Sequence, residues 1–413
     1  MVQDCRRPLI EATIRTVTKP TETYARNRLI HDADAHIMET PDWLDRFLSA
    51  DLLERLPSRR LVADVGGTGE LVNEDEFFDH VRAQQADPDF RSQDHELLMA
   101  RKNWDAPGSF IKEDRPAILD SLGFESQLIF NTFDSSLMDD LEHGNDLDLA
   151  YGVAEAHNRA MLEFTSIDGR LLPVCYVPLA DFDRASAMAT SAVEAGAAAL
   201  MVASHCPNGH SPSHTSLDPV WATAAEASIP IVLHVGGGGR LINPDYFVNG
   251  KPIPPDFHGG AENFRSVDYM GIPGPPMQTL ATMIFDGVLE RFPTLKIGVI
   301  EQGAIWVPGW MRQMESAMDA FGRHEERLQE LSLTPSEYVQ RQIRVTPYPT
   351  EDVGWIINQG CEDIVLFSSD YPHVEGGRRP IERFERSLAD ASDEQQHKFF
   401  AANMIDMMGS ALS

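Results

Sequence analysis

Eight short apolar runs, set apart by longer stretches in which apolar residues recur every three or four positions, constrain this chain more than any other feature. The runs lie at 28–31, 127–130, 171–177, 198–202, 229–233, 295–300, 342–345 and 364–367. Between them, 183–194, 219–227, 278–291 and 305–321 carry the period of amphipathic helices. Apolar runs alternating with such helices are the order of parallel strands joined by crossover helices. Eight strand and helix pairs predict an α/β fold, a (β/α)8 TIM barrel. With 413 residues, 42% of them hydrophobic, the chain can fill such a barrel. The barrel is expected over 27–413, behind an N-terminal extension at 1–26.

Two segments break the repeat. Residues 57–113 hold polar, acidic and Gly-rich tracts, and 236–276 is dense in Gly and Pro. Insertions of this length read as lids or binding loops, or else as solvated excursions or oligomer contacts. The four glycines Gly236, Gly237, Gly238 and Gly239 lack the spacing of a phosphate loop, and a flexible loop that lets substrate approach is the better reading. Beyond Pro380 the tail reads as helix, with Phe399 to Asn403 as packing residues.

Charge narrows the partners. Sixty-four acidic against 34 basic side chains give a formal net charge of −30, which repels nucleic acid and anionic membrane surfaces. Cys5, Cys175, Cys206 and Cys361 have no paired spacing, and no segment approaches a membrane-spanning run. A cytoplasmic protein acting on a small molecule is expected.

In a barrel the chemistry sits where strands end, so the polar residue after each apolar run is the informative one. Strand one leads into Asp32-Ala33-Asp34-Ala35-His36-Ile37-Met38-Glu39. Alternation of strand side chains places Asp34 and His36 on one face, with Asp32 on the same side and Glu39 one turn further on. Strand five ends in His234, strand six in Glu301, and strand eight in Asp370 with His373 three residues later. All would converge on one mouth. Several of these residues have structural alternatives. Glu301 could cap the helix that starts near Ile305, and Glu39 could belong to the turn with Thr40 and Pro41. Asp32 could pair with a backbone group or with His31. His205, His210 and His214 either line the mouth or sit in a solvated loop. Arg240 and Arg344 either bind a substrate carboxylate or form structural pairs.

These pieces, with Ser369-Asp370-Tyr371-Pro372-His373, Asn158-Arg159, Gly169 to Pro173 and Phe292 to Ile297, resemble the amidohydrolase superfamily over most of 27–408. The resemblance is to the amidohydrolase-2 branch, which includes aminocarboxymuconate-semialdehyde decarboxylase. It implies a divalent metal ion at Asp34, His36, His234 and Asp370. Two positions depart from the family's habit: Asp34 stands where His is common, and Glu301 stands where a His commonly follows strand six. Carboxylate for imidazole favours harder ions such as manganese or iron, although zinc remains compatible. The full inventory of Asp34, His36, Glu39, His234, Glu301, Asp370 and His373 exceeds the needs of one zinc ion, so two ions per site are an alternative.

The resemblance implies a metal-dependent hydrolase or non-oxidative decarboxylase of a small carboxylated substrate, aromatic in one version. Asp370, His373 and Glu301 would be its acid and base groups. A dinuclear iron or manganese monooxygenase, with Glu39 and Glu301 completing the second position, is the first alternative. A metal-stabilised, non-catalytic partner subunit is the second. Family habit further implies a homo- or hetero-oligomer.

Overall fold

The computed structural model describes residues 23–57, 74–91, 97–236, 242–252 and 266–412. Most of the extension at 1–26, parts of both insertions, and Arg240 with Gly237 to Gly239 lie outside the described residues.

Seven parallel strands are neighbours in chain order: β1 (His31–His36), β2 (Ser126–Phe130), β3 (Leu171–Tyr176), β4 (Ala199–Met201), β5 (Ile231–His234), β6 (Ile297–Ile300) and β7 (Ile343–Val345). Every residue in them is buried, which is why, β1 apart, they read largely as apolar runs rather than alternating ones. Around them lie α1 (Glu74–Ala86), α2 (Arg115–Leu122), α3 (Asp134–Glu142), α4 (Leu147–Thr165), α5 (Phe182–Glu194), α6 (Asp218–Ala227), α7 (Gly274–Phe285), α8 (Val307–Phe321), α9 (Pro335–Gln342), α10 (Pro380–Ser387) and α11 (Asn403–Met408).

The eighth run closes the ring without becoming a regular ladder. It bridges β7 at Val345 and Val365, and β1 at Ala35 and Tyr371. Ala33 N donates to Phe367 O at 3.1 Å, and Asp370 N to Asp34 O at 2.9 Å. Two of its own amides go elsewhere: Phe367 N to Phe399 O, and Ser369 N to the Asp32 carboxylate. The barrel expectation therefore holds, with closure made by bridges.

Two elements depart most from the expected bounds. Strand one begins at His31 rather than 28 and takes in Asp32, Asp34 and His36, polar residues buried inside the barrel. The helix expected over 278–291 is two, α7 and a short turn at Val288–Arg291, divided at Gly287, whose φ of 76° no ordinary helix residue adopts.

Packing follows from small side chains where elements approach closely. A Cβ on Gly298 of β6 would lie 2.8 Å from Met407 Sδ of α11 and 3.1 Å from Val232 Cγ1. Phe399 and Phe400 pack on Phe367 at ring separations of 6.2 and 5.3 Å, the packing role expected of them. Burying each such ring contributes about 1.5–3 kcal/mol.

The first insertion is a buttress of the barrel mouth. Phe78 and Val81 of α1 bury against Met38 and Trp104, and Trp104 Nε1 donates to Glu39 O at 3.2 Å. Lys102 Nζ donates to Gly377 O at 2.7 Å, Asn103 N to Pro372 O at 2.9 Å, and Tyr371 OH to Pro107 O at 2.7 Å. The segment after α1 thus ties the loop following β1 to the loop following Asp370. In the second insertion, the helical turn Ser266–Gly271 lays Tyr269 against Tyr348, with ring centroids 5.2 Å apart.

Candidate metal centre

The site is built on strand ends. The pairing of β1 with β2 shifts register between Asp32 and Ala35, so the strand bends where its polar residues begin. Asp32 is the staple of that bend. Its carboxylate accepts from Gln127 Nε2 at 2.9 Å, Ser369 Oγ at 2.6 Å and Ser369 N at 2.8 Å, joining β1 to β2 and to the eighth run. Burial pushes its pKa up to about 7, against the pull of those donors. Asp32 thus takes the backbone partner expected for it, while His31 Nδ1 pairs with Ser126 Oγ instead.

Asp34 and His36 emerge from this bend side by side, both 1% exposed. His36 Nδ1 bonds to Asn131 O at 2.8 Å, and His234 Nδ1 to Val235 O at 2.7 Å. Each backbone carbonyl holds a proton on Nδ1 and leaves Nε2 as a lone pair facing the cavity. Glu301 and Asp370 have φ values of 54° and 52°, a region that non-glycine residues seldom occupy and that turns the chain sharply at the strand end. The alternative role for Glu301 is taken by another residue. Glu351, after β7, accepts from Ala304 N at 2.8 Å and Ile305 N at 3.3 Å, so it caps the start of this helical segment and Glu301 faces the mouth.

The distances describe one cluster. Asp34 Oδ1 is 3.1 Å from His36 Nε2 and 3.4 Å from His234 Nε2. Glu301 Oε2 is 3.4 Å from His234 Nε2 and 3.9 Å from His36 Nε2, and Asp370 Oδ1 is 3.6 Å from His36 Nε2. Two donors held about 2.0–2.2 Å from the same ion stand roughly 3.0–3.5 Å apart, so this set fits a divalent cation. Asp34 Oδ2 and His36 Nε2 are buried and have no hydrogen-bond partner, a costly arrangement for the protein alone that a cation relieves. Burial would raise the Asp34 pKa, but His36 and His234 hold it below the usual carboxylate range. Burial, reinforced by the charge of His373, lowers His36 to about 4, which keeps the imidazole neutral as a ligand must be.

His373 stands at the edge of the cluster. Its Nδ1 is 2.9 Å from Asp370 Oδ1 and its Nε2 is 2.8 Å from Thr132 Oγ1. Burial alone would lower its pKa; Asp370 and Glu375 overcome this and push it up to about 9.

Glu39 is not brought into the cluster. Its Oε1 accepts from the amides of Thr132, Phe133 and Asp134 at 3.0, 3.2 and 3.2 Å, closing the N-terminal end of α3. A carboxylate suits that end of a helix, and the three unpaired amides there draw the side chain away from the mouth. Arg344 likewise forms the structural pair: its guanidinium bonds to Asp406 Oδ2 at 2.5 Å and to the carbonyls of Gln340 and Ile343. His210 and His214 pack on Phe182, while His205 stacks on His143.

Asn131, Thr132 and Glu351 escaped the sequence reading. The first two directly follow strand two, where the rule of inspecting each strand end would have found them. Glu351 lies 47 residues from the amide it caps, and its role depends on a fold-level contact.

A family model described as amidohydrolase matches residues 30–407. No curated protein matches the chain. Among solved structures, an amidohydrolase of Mycobacterium avium subsp. paratuberculosis K-10 is similar at 22% identity, covering 93% of this chain and 100% of that one, with a TM-score of 0.70. A 5-carboxyvanillate decarboxylase of Novosphingobium aromaticivorans, complexed with manganese and 4-hydroxy-3-methoxy-5-nitrobenzoic acid, shares 18% identity over 95% of this chain and 99% of its own, with a TM-score of 0.59. A 2,6-dihydroxybenzoate decarboxylase from Rhizobium shares 13% identity over 92% and 98%, with a TM-score of 0.56. With the family model spanning nearly the whole barrel and the strand-end donors in place, the chain belongs to the amidohydrolase family.

Proposed function

We propose that this chain is a metal-dependent, non-oxidative decarboxylase of a small aromatic carboxylate, working with one divalent ion for which manganese is the best match. The observation that carries the reading is the pair of overlapping donor groups at the mouth, Asp34, His36, His234 and Glu301 in one and His36, Glu301, Asp370 and His373 in the other, which share His36 and Glu301. An oxygen-rich set of this kind suits manganese, and the similar 5-carboxyvanillate decarboxylase is complexed with that metal.

The ion would polarise and hold oxygen atoms of the substrate. The protein's own groups supply the rest. His373 stands between Asp370, 2.9 Å from its Nδ1 as an ion pair, and Thr132, which meets its Nε2 at 2.8 Å in the loop after β2. When the bond from ring carbon to carboxylate breaks, its electron pair stays on the ring carbon, which takes a proton as CO2 leaves; the Asp370 and His373 pair is positioned to deliver that proton. Aromatic side chains stand nearby: Phe130 lies 4.5 Å from His234, ring to ring, and Phe133 stacks on Trp104 at 5.3 Å.

A single ion is favoured because the residue needed for a second position, Glu39, is committed to α3. The dinuclear oxygenase reading loses that support. Assembly into an oligomer and a cytoplasmic setting remain part of the proposal. Buried free Cys175 and Cys361 suit a reducing compartment, and no helix among the described residues is long and apolar enough to cross a membrane.

The test is turnover of a panel of hydroxylated benzoates by manganese-loaded protein, read as CO2 released and ring proton gained. Decarboxylation that Asp370→Asn abolishes supports the reading. Oxygen consumption with hydroxylated product, or hydrolysis of amide or ester analogues without CO2 release, overturns it.

A further inference from the structure

A half-buried cation stands beside the mouth without an acid to pair with. Lys102, in the first insertion, precedes the turn Asn103–Asp105. Its Nζ donates to Gly377 O at 2.7 Å. An ammonium carries three protons, and this bond uses one of them. Among the described residues no carboxylate lies within 4.0 Å of it. An ammonium taken partly out of water with only a carbonyl for company is costly, and an anion relieves that cost.

The segment is laced along the loop that follows Asp370. Asn103 N donates to Pro372 O, and Tyr371 OH to Pro107 O. A Cβ on Gly376 would lie 3.0 Å from Asp370 Cβ, so the turn whose next carbonyl holds Lys102 packs on a carboxylate of the mouth itself. Burial draws the Lys102 pKa down to about 8, while Asp370 and Glu375 oppose this from beyond ion-pairing distance, so the ammonium keeps its charge at neutral pH. Arg378, exposed in the same loop, adds a second positive charge in the neighbourhood.

The mouth has a use for such a charge. Its carboxylates Asp34, Glu301 and Asp370 outnumber the two charges of one divalent ion, so an aromatic acid that enters brings a negative charge the ion does not balance. Other cations of the barrel are committed elsewhere. His373 is held between Asp370 and Thr132. Arg115, at 0% exposure, bonds to His36 O, Gly108 O and Gln127 Oε1, and Arg344 pairs with Asp406.

Resting on the reading of an aromatic carboxylate as substrate, we propose that Lys102 binds the carboxylate of that substrate at the rim of the mouth, with Arg378 adding to the attraction. The contact discriminates ring acids from the phenols left after CO2 departs, so it draws substrate in and lets product go. Because it is made to the bound acid and vanishes with CO2, its loss raises KM more than it lowers kcat.

The experiment uses the full manganese-loaded chain and the panel of hydroxylated benzoates, each paired with the phenol that lacks its carboxylate. Affinity is read as Kd for ligands bound without turnover and as KM for those turned over. Lys102→Gln keeps a donor for Gly377 O but carries no charge. The proposal predicts a loss of at least about tenfold in its affinity for the acids, with manganese content and affinity for the phenols unchanged, and recovery in Lys102→Arg. Equal losses for acids and phenols, or no loss for either, overturn it, as does a wild type that binds acids no more tightly than phenols. Should Lys102→Gln fail to fold, reductive methylation of wild type, read by mass spectrometry, decides. Protection of Lys102 by an acid but not by its phenol supports the contact, and equal modification with both refutes it. The decarboxylase reading fails separately: acids bound through Lys102 without CO2 release keep this inference and sink that reading.

Discussion

Replacing Glu39 by Gln separates a metal ligand from a helix-capping group. In the structure one oxygen, Oε1, reaches all three amides of 132–134, and the other only duplicates two of those contacts. A Gln side chain therefore keeps the cap while losing the charge. Burial, with Asp134 adding to it, raises the Glu39 pKa from 4.5 to about 7. The folded state accordingly holds its proton more tightly than the unfolded chain does. The stability this contributes is complete below about pH 4.5 and is lost as pH rises through about 7. At 1.36 kcal/mol per unit, the gap corresponds to roughly 3 kcal/mol. Urea denaturation of metal-free protein from pH 4.5 to 8 should show the wild type losing about that much more stability than Glu39→Gln. The metal content of the mouth should be unchanged. Glu39→Ala, which leaves three amides without an acceptor, should lose about 3–5 kcal/mol near pH 5. A Glu39→Gln protein that loses an ion from the mouth, or keeps the wild-type pH dependence, would refute this account of the residue.

Three further substitutions probe the elements that position the site. Glu301→Gln should weaken manganese binding at the mouth by about 10–100-fold with little change in metal-free melting temperature, checked by calorimetric titration. Glu351→Ala removes the acceptor for Ala304 N, Ile305 N and Tyr348 N and should cost about 2–4 kcal/mol in urea unfolding. In Gly376→Ala the new Cβ would lie 2.1 Å from Ser369 O, so the loop beside Asp370 must shift. Turnover should fall at least tenfold through misplacement of that carboxylate, measured in a steady-state assay.

The barrel was legible because each strand is buried on both faces and so appears as an apolar run. The first strand was the exception: Asp32, Asp34 and His36 are buried there through hydrogen bonds and mutual contact, and hydrophobicity does not register that. Asp34, His36, His234, Glu301 and Asp370 were legible because each ends a run or lies within five residues of its end, and the structure gathers them into two overlapping groups that share His36 and Glu301. Glu39 was ambiguous for a physical reason. Sequence places it within reach of the mouth, and only the position of the α3 amides, about 95 residues further on, decides where its carboxylate points.

The most direct test of a single ion held at the mouth is a crystal structure of manganese-loaded protein with anomalous diffraction recorded at the manganese edge. One peak in the mouth, about 2.0–2.4 Å from donor atoms of Asp34, His36, His234, Glu301 and Asp370, with Glu39 still bound to the amides of 132–134, is the predicted result. Two peaks in the mouth, or a single peak coordinated by Glu39, would contradict it.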